Sequence, residues 1–123
     1  MKSLREELKK AKEWAYKNLA GKKIYHNDIS DFIILNKNGL SHAIYAKTYF
    51  EKIQLIYNTE MLIRSSVLYS IEKDKAGRKD IKNIYKFVTN WKIKNKDRFV
   101  YIIVRETKDG NFFYDHGIIK EKP

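Results

Sequence analysis

The sequence contains no cysteine, and this absence excludes a disulfide scaffold, a thiolate metal site and a cysteine nucleophile. Its single proline is the last residue, and no segment rich in proline, serine or glycine marks an internal linker. Apolar runs are far shorter than the roughly 20 residues that span a bilayer. The N-terminal residues are charged rather than apolar, so we expect no secretory signal. The expected location is cytoplasmic, either in the cell of origin or after delivery into a target cell.

Basic charge is what the sequence has in excess. The 123 residues include 26 Lys and Arg against 15 Asp and Glu, a net charge of +11. Residues 72–98 carry a net +6 and residues 1–23 a net +5, whereas residues 43–71 contribute little. Clustered cations favour a polyanionic partner, because each neutralised phosphate releases counterions. RNA is therefore the expected partner, and a genome rich in AAA and AAT codons is the alternative explanation of the charge.

The first part of the chain predicts an N-terminal helix over residues 1–20, followed by a short β-hairpin. Apolar residues recur at helical spacing on one face of that helix: Leu4, Leu8, Ala11, Ala15 and Leu19. Residues 23–26 and 32–35 predict two strands joined by a polar turn, and Asn38-Gly39 predicts a second turn after them.

The remainder predicts a long helical region and then a meander. Ser41 is a plausible cap for helical residues 42–72, with an interruption and a new cap at Asn58-Thr59. From residue 81 the hydrophobic period changes to two, and Asp109-Gly110 predicts a hairpin. We therefore predict a single α+β domain over residues 1–123, with a helix packed on a curved antiparallel sheet that ends in a three-stranded meander over 81–119.

Histidines are the candidates for chemistry. His42 would lie at a helix start, where backbone N–H groups attract a phosphate and favour a neutral imidazole. His116 falls in Tyr114-Asp115-His116 in the last predicted strand, where it shares a predicted face with Tyr114. Each has a structural alternative, since His42 could only cap a helix and His116 could only line a sheet. No metal site or cofactor is expected, because the spacings match no metal-binding pattern.

Two proton-transfer groups and nearby cations are enough for metal-free RNA cleavage. The 2′-hydroxyl attacks the adjacent phosphorus, one group takes its proton, and another protonates the leaving 5′-oxygen. We predict His42 and His116 as the proton-transfer pair, with Arg78 at the phosphate. Lys82 and Lys86 alternate along the predicted strand as phosphate-binding residues, and Tyr85 and Tyr114 are candidates for contact with the RNA.

Several short motifs resemble the large polyvalent protein-associated domains of phages and mobile elements, which belong to the barnase–EndoU–colicin–RelE group of nuclease-like proteins. The resemblance covers about residues 15–121, and its segments are Gly21-Lys22, Asn27-Asp28, 33–43, Gly77-Arg78, 80–87, 104–106 and 110–116. It implies a helix on a curved antiparallel sheet and metal-independent ribonuclease action, often as a toxin. By analogy His42 and Arg78 fall in the site, although a histidine is more usual at the position of Tyr85.

These observations leave three hypotheses for function. The first is a toxin-like RNA endonuclease that is held in check by an acidic antitoxin or immunity protein. The second is a non-catalytic nucleic-acid-binding accessory domain of a phage or mobile-element protein. The third is a protein-interaction module whose charge reflects codon usage alone. Cleavage of RNA in EDTA separates the first from the second, and the salt dependence of RNA binding separates both from the third.

Overall fold

The computed structural model describes residues 3–40, 50–74 and 76–121. Helix α1 spans Leu4–Asn18, and strands β1 and β2 span Lys22–His26 and Asp31–Leu35. Helices α2 and α3 span Phe50–Tyr57 and Thr59–Ser65. The other strands are β3, β4, β5 and β6, with bounds Val67–Lys73, Ile81–Ile93, Lys96–Thr107 and Phe112–Glu121. The predicted α+β class is confirmed.

Within the described residues the strands form one sheet, in the order β1-β2-β6-β5-β4-β3. All neighbours pair antiparallel except β2 and β6, which run parallel through Ile33 and Ile34. The central strand β5 is apolar on both faces over 99–104, as the sequence predicts for a strand between two neighbours. The predicted meander over β4, β5 and β6 is confirmed, as is the β1–β2 hairpin.

Helix α1 forms where its sequence predicts. The side chain of Ser3 caps it by accepting a hydrogen bond from the amide of Glu6 at 3.2 Å. Ala11, Ala15 and Leu19 are buried, whereas Leu4 at the start of the helix is exposed. The small alanines allow close approach to the rest of the core. No helix of the described residues is both long enough and apolar enough to cross a membrane.

The predicted helical region over 42–72 is wrong at its C-terminal end. Residues 42–49 lie outside the described part of the chain, as does the predicted cap Ser41, and the region 50–65 is helical with the predicted interruption before Thr59. Residues 67–73, however, form strand β3. Val67, Leu68 and Ile71 fit helical spacing, but the segment also alternates with period two. Pairing with β4 satisfies its backbone and decides for a strand.

The predicted turn at Asn38-Gly39 is also wrong, because residues 37–40 are helical. The side chain of Asn36 accepts a hydrogen bond from the amide of Gly39 at 2.8 Å, as a helix N-cap does. The helical turn packs on the backbone of β6, where a Cβ at Gly39 would lie 1.9 Å from the carbonyl oxygen of Tyr114. Glycine is therefore required here for close approach rather than for a turn.

Candidate functional site on the outer face of the sheet

Strands β3 to β6 have an inner face, which packs on the buried core, and an outer face. Pairing registers identify the outer face, because side chains of paired residues lie on the same side of a sheet. Lys86 of β4 is opposite Ile103 of β5, and Ile103 is opposite His116 of β6. These three side chains form one row across the outer face. Two of them, Lys86 and His116, are predicted site residues.

A β-bulge at Asp115 determines what β6 presents on each face. Ile103 pairs with His116 and the next residue, Val104, pairs with Tyr114, so Asp115 is an extra residue between them. The prediction that Tyr114 and His116 share a face is therefore wrong. Tyr114 points inward and is 1% exposed, and burial raises its pKa far above the ordinary value. Period-two counting cannot anticipate a bulge, because it assumes uninterrupted alternation.

Asp115 and His116 form an acid–imidazole pair. The Oδ2 atom of Asp115 lies 3.3 Å from the Nδ1 atom of His116, and both side chains are largely buried. The Nδ1 atom itself is inaccessible to solvent, although a quarter of the His116 side chain is exposed. The contact lacks hydrogen-bond geometry, but the negative charge of a carboxylate beside Nδ1 favours a proton on that nitrogen. The Nε2 atom is then the nitrogen that can accept a proton.

Arg78 is held in the loop between β3 and β4 by Asp74. Its Nε lies 2.9 Å from the Oδ2 of Asp74, and its backbone amide donates to the same oxygen at 3.1 Å. The bond to Asp74 is the main reason that the pKa of Arg78 is raised, and the negative charges of Asp115 and Asp80 raise it further. Arg78 is thus positioned within the electrostatic reach of the Asp115–His116 pair.

Lys86 and Arg78 meet at one depression, which we call the outer cleft. It is lined by three cations, three carboxylates and two apolar side chains: Lys73, Arg78, Lys86, Glu72, Asp74, Asp115, Ile84 and Ile103. Lys86 forms an ion pair with Glu72 across the β3–β4 ladder, and this contact raises the pKa of Lys86. Its charge is therefore retained at any pH near neutrality.

Arg105 adds a further cation to the same face, with one unsatisfied donor atom. It lies on β5 two residues beyond Ile103, and it pairs with Ile84 of β4 and Phe113 of β6. The Nε atom of Arg105 is buried, and it has no hydrogen-bond partner among the described residues. A buried donor of this kind favours an anionic ligand, since an unpaired charged donor is costly. In the sequence Arg105 belongs only to the short motif 104–106, because nothing local distinguishes it from other basic residues.

The other predicted site residues either lie apart from the outer cleft or fall outside the residues that the structure describes. Tyr85 lies on the inner face, half-buried, with its ring 5.1 Å from that of Phe112 in an edge contact. Burial and the nearby Glu106 raise its pKa. Lys82 is exposed, but it is the extra residue of a bulge between Ile81 and Asn83, so strict alternation with Lys86 is broken. His42 lies outside the described residues.

A larger cavity, of about 730 Å³, lies between helices α1, α2 and α3. Its walls include Trp14 and Tyr57, whose rings are 5.1 Å apart. The charged groups at its rim are Lys22, Glu60 and Arg64, and they already pair with each other. The outer cleft is the stronger candidate because its cations lie beside Asp115, whose carboxylate contacts the imidazole of His116. Among the described residues, no group of His, Asp and Glu is arranged to hold a metal ion.

The fold is that of a small α+β domain. The model of the family described as large polyvalent protein-associated domain 3 matches residues 2–114. The chain belongs to this family, which confirms the predicted resemblance to large polyvalent protein-associated domains. Comparison with curated proteins and with solved structures returned no match.

Proposed function

We propose that this domain is a metal-independent RNA endonuclease whose active site is the outer cleft. The observation that carries the proposal is the Asp115–His116 pair at 3.3 Å beside the loop that holds Arg78. An oriented imidazole next to fixed cations is the arrangement that transesterification of RNA requires. The net charge of +11 supports a polyanionic substrate.

In the proposed reaction His116 is the general base. Its Nε2 atom takes the proton of a ribose 2′-hydroxyl, and the 2′-oxygen attacks the adjacent phosphorus. The bond from phosphorus to the 5′-oxygen breaks, and that oxygen takes up a proton from a second group. The products are a 2′,3′-cyclic phosphate and a 5′-hydroxyl. Asp115 stabilises the imidazolium that forms on His116, as a carboxylate behind a catalytic histidine does.

The cations of the outer face have a separate role. Arg78 and Lys86 would bind the non-bridging phosphate oxygens, whose negative charge increases in the transition state. Each has further donors beyond those that contact its acidic partner, since a guanidinium has five N–H groups and an ammonium has three. The buried Nε of Arg105 would gain an acceptor when the phosphate binds.

His42 is the proposed second proton-transfer group, on the sequence argument alone. A partner of opposite charge is proposed as well, because a toxin-like nuclease requires an inhibitor in the cell that makes it. An acidic antitoxin or immunity protein that covers the outer cleft would meet Arg78, Lys86 and Arg105 with carboxylates. The proposed substrate implies action in a cytoplasm, either that of the cell of origin or that of a target cell.

The test is incubation of the purified domain with a defined RNA in EDTA. We expect cleavage with 2′,3′-cyclic phosphate ends, and no cleavage at a position where the substrate has a 2′-deoxyribose. His116→Ala and His42→Ala should each slow cleavage by at least about 100-fold, with the RNA dissociation constant nearly unchanged. Lys108→Ala, at an exposed turn residue, is the matched control that should behave as wild type.

Each other outcome has a defined meaning. Cleavage that survives in His116→Ala but is lost in His42→Ala would rule out the outer cleft as the active site, because its loss in one variant shows that a contaminating nuclease is not its source. Salt-sensitive RNA binding by a wild-type protein that does not cleave would favour the alternative, a non-catalytic nucleic-acid-binding accessory domain. Asp115 would then only orient His116 for contact with RNA.

A further inference from the structure

An apolar row crosses the outer face next to the row that contains His116. Val67, Val88, Tyr101 and Ile118 pair in register from β3 to β6. The ends of this row are open to solvent, with Val67 56% and Ile118 37% exposed. Such an exposed strip on a folded domain marks a binding surface, because leaving it in water costs free energy.

Aromatic rings cluster around Tyr101, which belongs to this row. Tyr69 is the extra residue of a bulge in β3, and it is 51% exposed. Its ring lies 5.7 Å from that of Tyr101 in an edge-on contact, and the ring of Phe99 lies 6.4 Å from Tyr101 on the other side. We call Tyr69, Tyr101 and Phe99 the aromatic platform.

Lysines border the platform. The Nζ of Lys120 lies 5.4 Å from the centroid of the Tyr101 ring. Burial raises the pKa of the Tyr69 phenol, and the nearby charge of Lys86 has a smaller and opposite effect. An amine beside a stacking ring can bind the phosphates of the same nucleotide chain, so this border fits a polyanion whose bases contact the rings.

The platform is also continuous with the outer cleft. Tyr101 and Ile103 are two residues apart on β5, and Ile103 is opposite His116. A separation of two residues along a strand is about 6.8 Å. A nucleotide chain that places a phosphate near His116 would therefore place a neighbouring base over the platform.

We propose that the aromatic platform binds unpaired bases, and that the substrate is therefore single-stranded RNA. The inference rests on the proposed function, since one RNA would occupy both the platform and the outer cleft. Bases within a duplex are already stacked on each other, so their faces are not available to tyrosine rings. Stacking on aromatic side chains is tolerant of sequence, because every base has a flat face.

The experiment measures binding separately from cleavage, with a short labelled RNA that is 2′-O-methylated throughout and cannot be cut by attack of a 2′-hydroxyl. Fluorescence anisotropy gives its dissociation constant as a single strand and as a duplex. We expect the single strand to bind more tightly, and Tyr69→Ala to weaken its binding about tenfold or more. Tyr69→Phe should retain most of the affinity.

Tyr25→Ala is the matched control. Tyr25 is 48% exposed, and its ring makes an edge-on contact with Phe32 at 5.4 Å, much like that between Tyr69 and Tyr101. It lies on the β1–β2 hairpin rather than on β3–β6. Its loss should leave RNA affinity within about twofold of wild type, since it makes no proposed stacking contact.

Three results would overturn the proposal. The first is equal affinity for duplex and single strand, and the second is an equal loss of RNA affinity in Tyr69→Ala and Tyr25→Ala. The third is self-association of the wild type that Tyr69→Ala abolishes without a change in RNA affinity. The last result would identify the platform as a protein interface. Failure of the ribonuclease proposal is distinguishable, because unmodified RNA would then bind to the platform without being cut.

Discussion

His26 and Ser66 connect strands that are at opposite ends of the sheet order. The Nε2 atom of the imidazole lies 2.8 Å from the carbonyl oxygen of Ser66, just before β3. The Nδ1 atom accepts a hydrogen bond from the amide of Asp28 at 3.1 Å, so the proton resides on Nε2. Asp28 in turn accepts a bond from the amide of Leu68 at 2.8 Å. The β1–β2 turn is thereby tied to the far edge of a strongly curved sheet.

Replacement of His26 should therefore destabilise the whole fold. His26→Ala removes both hydrogen bonds and the contact of the imidazole with the ring of Phe87, at 4.7 Å. We expect a loss of about 3 kcal/mol in the free energy of unfolding, measured by urea titration. His116→Ala, on the outer face, should cost clearly less. If His26→Ala lowers the free energy of unfolding no more than His116→Ala does, His26 does not stabilise the fold by joining the β1–β2 turn to β3.

Gly39→Ala should be strongly destabilising because its Cβ would collide with the carbonyl oxygen of Tyr114. Backbone cannot move aside as a flexible side chain can, so we expect a loss of roughly 3 kcal/mol. Gly77→Ala is the control, because Gly77 has φ +65° but open space around it. That variant should lose only about 1 kcal/mol from backbone strain. Equal effects in thermal unfolding would mean that the helical turn and β6 are not closely packed.

Lys52 is a buried cation, and its ammonium donates to the carbonyl of Gly117. Burial lowers its pKa below the ordinary value. The folded state therefore releases this proton more readily than the unfolded state. The free energy of unfolding rises as the pH increases from the pKa of Lys52 in the folded state to its pKa in the unfolded state. Lys52→Met should be more stable than wild type by about 1–3 kcal/mol near neutrality.

The difference in stability between Lys52→Met and wild type should shrink as the pH approaches about 10, because Lys52 of the folded wild type is then uncharged. Urea titrations at both pH values measure the difference. Lys92→Met, at an exposed position, should show no such pH dependence. A constant advantage across the range would indicate that desolvation of the ammonium is not its origin.

Asp115→Asn tests whether the carboxylate orients His116. An amide cannot stabilise an imidazolium as a carboxylate does, so cleavage should fall at least about tenfold. RNA affinity should hold or increase, because a negative charge near the phosphate is removed. Asp97→Asn, at an exposed residue of β5, is the control for the loss of one carboxylate. Unchanged cleavage with tighter binding would mean that Asp115 acts only through its charge.

Salt dependence tests the phosphate contacts. Replacing Lys82 and Lys86 together by glutamate should flatten the plot of log binding constant against log salt concentration, because fewer counterions are released. Lys86→Gln alone should reduce the slope by about 1 if its ammonium contacts a phosphate. Lys23→Gln on β1, which also removes one positive charge from an exposed site, is the control for Lys86→Gln. A slope unaffected by the double replacement would remove both lysines from the RNA interface.

Local pattern was sufficient for the elements whose period is unambiguous. The N-terminal helix, the first hairpin and the meander from Ile81 were predicted because their apolar residues fit one period only. Strand β3 was missed because a short apolar segment fits both periods, and only the partner strand β4 decides between them. The parallel pairing of β2 with β6 lies beyond pattern analysis, since it joins segments that are distant in the chain.

The candidate site shows the same division. The basic composition predicted a polyanionic partner, and the small number of histidines brought His116 forward as a candidate. The bulge at Asp115, which turns His116 outward and Tyr114 inward, depends on the pairing of β6 with β5. The approach of Arg78 to that pair depends on how the β3–β4 loop folds over the sheet.

Sequence by itself therefore determined the class of this protein, an α+β domain with excess basic charge, because composition and hydrophobic period are properties of the chain alone. Tertiary structure decided which side chains share a surface. Strand pairing and three bulges select the members of the outer face, and a one-residue change in register would move every side chain beyond it to the opposite side. A site assembled from β3, β4, β5 and β6 exists only once those strands have paired.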